Sequence, residues 1–176
     1  MEIPAIKSAA LMSYTRFDDA YRHGYLSELG AWISREVEAY SRLPFPILRD
    51  SEDIAWGQHW AERINHSLDA VTFLIPILTP SFFNSQWCRE ELERFLQREA
   101  QLGRNDLILP VYFITIPALE KPDLREHDPL IQIIAARQRI DWRDLRFESF
   151  DSPQVRRTLA QMAIQIAHVL HSSVRE

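Results

Sequence analysis

Three carboxylates, Glu90, Glu91 and Glu93, stand directly behind Trp87 and the single cysteine, Cys88, in the segment SQWCREELERF (85–95). On a helix, residues four apart are neighbours. Glu90 then reaches Arg94, and Arg89 reaches Glu93, on a solvated side. Cys88, Leu92, Phe95 and Leu96 form the apolar stripe. Glu91 falls beside Trp87 at the edge of that stripe, although Arg94 is also within its reach at i+3. Position thus separates Glu91 from its two neighbours as the candidate functional acid, with a surface pair to Arg94 as the alternative.

Other chemistries lack their residues. Gly24, Gly30, Gly57 and Gly103 make neither a dinucleotide fingerprint nor a P-loop. His59 and His66 lie seven apart, and His168 and His171 three apart, and neither pair has a third ligand at metal-site spacing. Cys88 has no histidine near it in sequence and is expected in the core. Lys7 and Lys121 are the only lysines, which leaves phosphate recognition to arginine or to backbone N–H groups. No metal and no bound cofactor is expected.

Composition narrows the class further. The chain of 176 residues is 46% hydrophobic and 26% charged, enough apolar content for one globular core. A net charge of -5 argues against a general affinity for nucleic acid. The longest apolar stretch, AVTFLIPIL (70–78), is too short to span a membrane. The first residues lack the basic and apolar regions of a secretion signal. A single cysteine forms no internal disulfide, which suits a cytoplasmic protein.

The elements that must position Glu91 follow from apolar periodicity. SAALMSY (8–14) reads as a buried strand, and Leu26, Leu29, Ile33 and Val37 mark a helix over 26–40. FPILRD (45–50) is a second strand leading into an acidic loop, SEDIAWG, and a helix is expected over about 57–68. AVTFLIPILT is the central strand. Thr79-Pro80 and Asn84-Ser85 then offer two successive helix starts. DLILPVYFI (106–114) reads as a strand, 116–129 as a proline-rich loop, 127–136 as a helix, QRIDW (138–142) as a short strand and 153–172 as the last helix. Such alternation predicts an α/β fold with a parallel sheet and helices on both faces. Ligands in such sheets bind at the carboxyl ends of the strands near a switch point.

Three stretches after those strand ends belong together: SYTRFDD (13–19), LRDSEDIAWG (48–57) and TPSFFNSQWCREEL (79–92). With Ser13-Tyr14, Arg49-Asp50 and Ser85-x-Trp87-Cys88-x-x-Glu91 in this order, the chain resembles a TIR (Toll/interleukin-1 receptor) domain of bacterial type. The resemblance covers about 9–170 of a single domain, 1–176, expected to be cut from a longer protein. It implies a flavodoxin-like three-layer sandwich with five strands in order 2-1-3-4-5. The loop RDSEDIAWG lacks the proline-glycine pair of many animal receptor TIR domains, and no Phe-Trp box precedes the last helix. Both departures point away from an animal receptor adaptor and toward a bacterial TIR domain, and the resemblance implies the effector domain of an anti-phage defence protein.

The resemblance implies one of two activities. Some TIR domains cleave NAD+ to nicotinamide and ADP-ribose or a cyclic isomer, and others are interaction modules without catalysis. In the enzymes, the glutamate four residues after the helix tryptophan is catalytic, which here is Glu91 after Trp87. Cleavage of the nicotinamide–ribose bond passes through an oxocarbenium-like state that one carboxylate can stabilise, and nicotinamide leaves neutral. Supporting substrate contacts are expected from Tyr14, Arg16, Asp50, Asp53, Trp56, Ser85 and Trp87. For Arg16 the alternative is an exposed loop arginine, for Asp50 a turn cap, and for Ser85 a helix cap alone. Expected partners are NAD+ as substrate, other TIR domains in a homo-oligomer or filament, and a fused or associated sensor domain.

Overall fold

The computed structural model describes residues 10–21, 23–49 and 72–173. Strand β1 (Ala10–Ser13) is followed by the short helix α1 (Arg16–Tyr21), the long helix α2 (Tyr25–Ser41) and strand β2 (Ile47–Arg49). Strand β3 (Phe73–Leu78) leads into helix α3 (Pro80–Asn84) and helix α4 (Gln86–Leu102). After β4 (Val111–Tyr112) come α5 (Pro117–Glu120), α6 (Pro122–Arg125) and α7 (Pro129–Ala135). Strand β5 (Ile140–Asp141), a 3-10 turn (Leu145–Phe147) and helix α8 (Pro153–Ser173) complete the chain. The helix expected over 57–68 lies outside the described residues.

The described strands form one parallel sheet in the order β2-β1-β3-β4-β5, as expected from the resemblance. The centre, β3, is buried along its whole length. Pro76 sits in a gap of the ladder on the β4 side, between the bonds of Leu74 to Leu107 and Leu109 and the pairing that resumes at Ile77. A proline, which has no N–H to donate, is tolerated at such a gap.

Adjacent residues of a strand point to opposite faces, and β1 uses both. Gly30 of α2 packs on Met12 so closely that a Cβ there would meet the Met12 sulfur at 3.2 Å. The next residue, Ser13, meets α4 instead. Helices α2 and α4 therefore cover opposite faces, and α8 packs along α2. The stripe Leu26, Leu29, Ile33 and Val37 is buried as the periodicity predicts.

Two expectations need correction. The strand expected over 106–114 is regular only at Val111–Tyr112. Leu107 and Leu109 do bond to Leu74 of β3, but Pro110 has no N–H and interrupts the ladder. The segment 116–129 is no loop. Pro117 and Pro122 each open a helical turn, because proline suits the first position of a helix, where no N–H partner is needed.

Candidate functional site

Helix α4 owes its boundaries to local chemistry. The Ser85 hydroxyl accepts from the Cys88 N–H at 3.2 Å, which caps the start. Gly103, at a φ of 64° in the left-handed region, closes the end. Between them Cys88, Glu91, Leu92, Phe95 and Glu99 face inward. Two glutamates thus lie on the buried stripe.

Glu91 is only 1% exposed. The buried Ser13 hydroxyl, at the carboxyl end of β1, donates to Glu91 Oε1 at 2.9 Å. The carboxylate therefore lies inside the stripe and against the sheet, rather than at the stripe's edge. Its place, between β1 and β3, is where successive connections leave the sheet on opposite faces. That is the switch point at which open parallel sheets bind ligands.

Its neighbours point elsewhere, though not to the expected partners. Glu90 accepts from Gln86 Nε2 at 3.0 Å instead of pairing with Arg94. Arg89 forms a two-pronged ion pair with Asp128, at 2.8 and 2.9 Å, and Glu93 is only a weaker charge neighbour. That guanidinium lowers the Asp128 carboxyl pKa below its ordinary range. Asp128 also caps α7 by accepting from Leu130 and Ile131 N–H groups.

A second buried carboxylate stands at the same end of the sheet. Asp18, 4% exposed, accepts from the Thr15 hydroxyl at 3.0 Å and the Thr79 hydroxyl at 2.6 Å. Thr79 in turn accepts from Phe82 N–H and caps α3. Asp18 thereby ties the loop after β1 to the loop after β3. Sequence reasoning missed it, although Thr15-Arg16-Phe17-Asp18 carries the spacing of a capping box.

The remaining predicted residues divide. Tyr14 is buried, and its hydroxyl lies by Ser27 and Arg49 on the α2 side, away from the face that carries Glu91. Burial raises the Tyr14 pKa, partly offset by a hydrogen bond with Ser27. Ser27 also donates to Asp19 and accepts from Arg49. Arg16 is exposed at the start of α1, Ser85 is the α4 cap, and Trp87 is half-buried against the core one turn before Glu91. Cys88 is buried. Asp50, Asp53 and Trp56 lie outside the described residues. Among the described residues, no cluster of histidine, cysteine or acidic side chains is arranged to hold a metal, and no helix is long and apolar enough to cross a membrane.

Glu99 was not anticipated either. It is 2% exposed, pairs with Arg137 and accepts from the Leu107 and Ile108 N–H groups at 3.0 and 3.3 Å. All of its visible work is structural, holding the segment that enters β4.

Comparison with known proteins agrees with this architecture. The family model described as TIR domain matches residues 20–159. Among solved structures, the chain is similar to the TIR domain of the Toll-related receptor TRR-2 from Hydra magnipapillata. The two share 14% identity over 90% of this chain and 97% of that one, with a TM-score of 0.55. It is also similar to the TIR domains of the activated Roq1 resistosome, at 12% identity over 92% and 84% of the chains and a TM-score of 0.48. The first likeness carries the fold, and the family model covers most of the sequence: the chain belongs to the TIR domain family.

Proposed function

We propose that this TIR domain is an NAD+ glycohydrolase, cleaving the nicotinamide–ribose bond to give nicotinamide and ADP-ribose or a cyclic ADP-ribose isomer. The observation that carries the reading is Glu91: an acid on the buried face of α4, oriented by Ser13 at the switch point of the sheet. As the C–N bond breaks, its electron pair leaves with nicotinamide and positive charge grows on the ribose. A carboxylate already fixed by a hydroxyl donor stabilises that charge without reorganising. Water then adds to the anomeric carbon and releases a proton, or a nucleophilic atom of the adenine ring takes its place to close a ring. Trp87, one turn away, offers an aromatic face to a substrate ring.

The burial of Glu91 also bears on regulation. A substrate can reach it only if its cover shifts, and assembly with other TIR domains is the event we assign to that step. A bacterial defence effector in the cytoplasm, joined to a sensor domain, is the setting that fits such a switch.

The second reading, a non-catalytic interaction module, is favoured by one surface feature. Phe17 and Tyr21 of α1 are 69% and 67% exposed and stack on each other at 6.5 Å. Exposed paired aromatics suit a protein contact. The two readings part in one experiment, in which the protein is clustered at high concentration with NAD+ and nicotinamide release is followed by chromatography. Turnover that is lost in Glu91→Gln supports the enzyme. Equal turnover in Glu91→Gln sinks the catalytic assignment, and self-association without NAD+ loss supports the module.

A further inference from the structure

The segments that lead into β4 and β5 lie at the amino-terminal edge of the sheet, opposite to Glu91. Together with the second half of α8 they line a half-open cavity of about 760 Å³. This volume falls in the range of small-molecule sites, roughly 300–1,000 Å³.

The lining is apolar inside and mostly polar at the mouth, where Ile164 is also exposed. Ile75, Ile108, Met162 and Ile166 are buried, and Ile140 and Val169 are half-buried nearer the rim. Charged groups touch the cavity, and two of them are held in ion pairs. Arg137 is held by Glu99, and Asp106 by a two-pronged bond from Arg104, at 2.8 Å for each prong. Arg139 donates to the Ala135 and Arg137 carbonyls and lies over the Tyr112 ring. His168 sits on the exposed side of α8. Among the described residues, the carboxamides of Asn105, Gln138 and Gln165 at the mouth show no protein hydrogen bond. A cationic ligand would have to draw Asp106 from Arg104, and an anionic one would have to take Arg137 from Glu99 or Arg139 from its carbonyls. An uncharged ligand would not, and the amides could bond its polar edge.

We propose that this cavity is a second binding site of the domain, for an uncharged, largely apolar small molecule with amide- or hydroxyl-type groups at one edge. It is separate from the Glu91 site and independent of whether NAD+ is cleaved.

The test is a fluorescence titration of the whole chain with N-phenyl-1-naphthylamine, an uncharged apolar probe. Its anionic relative 8-anilino-1-naphthalenesulfonate is run beside it. The expected result is one probe per chain, with the anion bound at least tenfold more weakly. Val169→Trp and Ile140→Trp each place bulk at the half-buried rim, so either should weaken binding at least tenfold while circular dichroism stays unchanged. Hydrogen exchange on the unaltered protein gives a second measure, because probe should slow exchange in 105–110 and 162–169. Absence of one-to-one binding overturns the proposal. So does one probe per two chains with a concentration-dependent midpoint, which would mark a contact between copies. Probe-induced protection confined to other segments overturns it as well.

Discussion

Replacing Glu99 by alanine removes the acceptor of a half-buried arginine and of two buried backbone N–H groups in one step. Arg137 loses both of its contacts to the carboxylate, and Leu107 and Ile108 lose the oxygen that satisfied them. Breaking one side of a buried ion pair costs about 3–5 kcal/mol. Arg137 retains some access to solvent and can recover part of its hydration, which argues for the lower end. The two N–H groups pull the other way, since each buried orphan adds about 1–3 kcal/mol. A loss of about 3–5 kcal/mol is therefore expected, or about 6–20 °C in Tm at about 2–4 °C per kcal/mol for a domain of this size. Urea denaturation followed by far-ultraviolet circular dichroism measures it. The double variant with Arg137→Met should cost less than the sum of its parts, by about 1 kcal/mol or more, because the arginine no longer waits unpaired. Loss of under about 1 kcal/mol in Glu99→Ala, or strict additivity in the cycle, would refute the structural role drawn for this pair.

Other outcomes follow from the same geometry. Ser13→Ala removes a charge-assisted hydrogen bond worth about 1.5–3 kcal/mol, so kcat/KM for NAD+ should fall about 10- to 100-fold. Nicotinamide release within twofold of the parent would take Ser13 out of the site. Asp18→Asn weakens the tie between the loops after β1 and β3, at a cost of about 1–3 kcal/mol. Hydrogen exchange should quicken in residues 14–19 and 79–82, and unchanged protection in both would count against the tie. Asp128→Asn keeps a helix cap but ends the ion pair with Arg89. Because Arg89 depresses the Asp128 pKa in the folded state, the pair stabilises fully above the unfolded value of about 3.9 and is lost as pH falls through the folded one. The variant should be less stable by about 1 kcal/mol at pH 7, with the gap closing under strong acid. A gap of the same size at both pH values would contradict this.

How much of this was legible beforehand depended on whether a feature was local. Strands β1 and β3 are short continuous apolar runs, and the caps Thr79 and Ser85 act within three residues, so each was readable. The stripe Leu26, Leu29, Ile33 and Val37 was equally plain. Prolines misled in opposite ways, breaking β4 at Pro110 where a strand was expected and starting helices at Pro117 and Pro122 where a loop was. The buried carboxylates were the least legible. Asp18 has a partner in Thr79, Glu99 in Arg137 and Glu91 in Ser13, all far along the chain. Helical spacing alone put Glu91 at an edge, and only the family resemblance gave it a task. Arg89 showed the same weakness, since i,i+4 arithmetic sees only its own helix and Asp128 belongs to another.

The two acids of α4 have a mechanical consequence. From 91 to 99 the helix advances about 12 Å, and it is pinned near its start to the end of β1 and near its finish to Arg137 and the approach to β4. A rod held at two points can neither roll about its axis nor slip along it without releasing one of them. The aim of Glu91 is thus set by an anchorage at the far edge of the sheet.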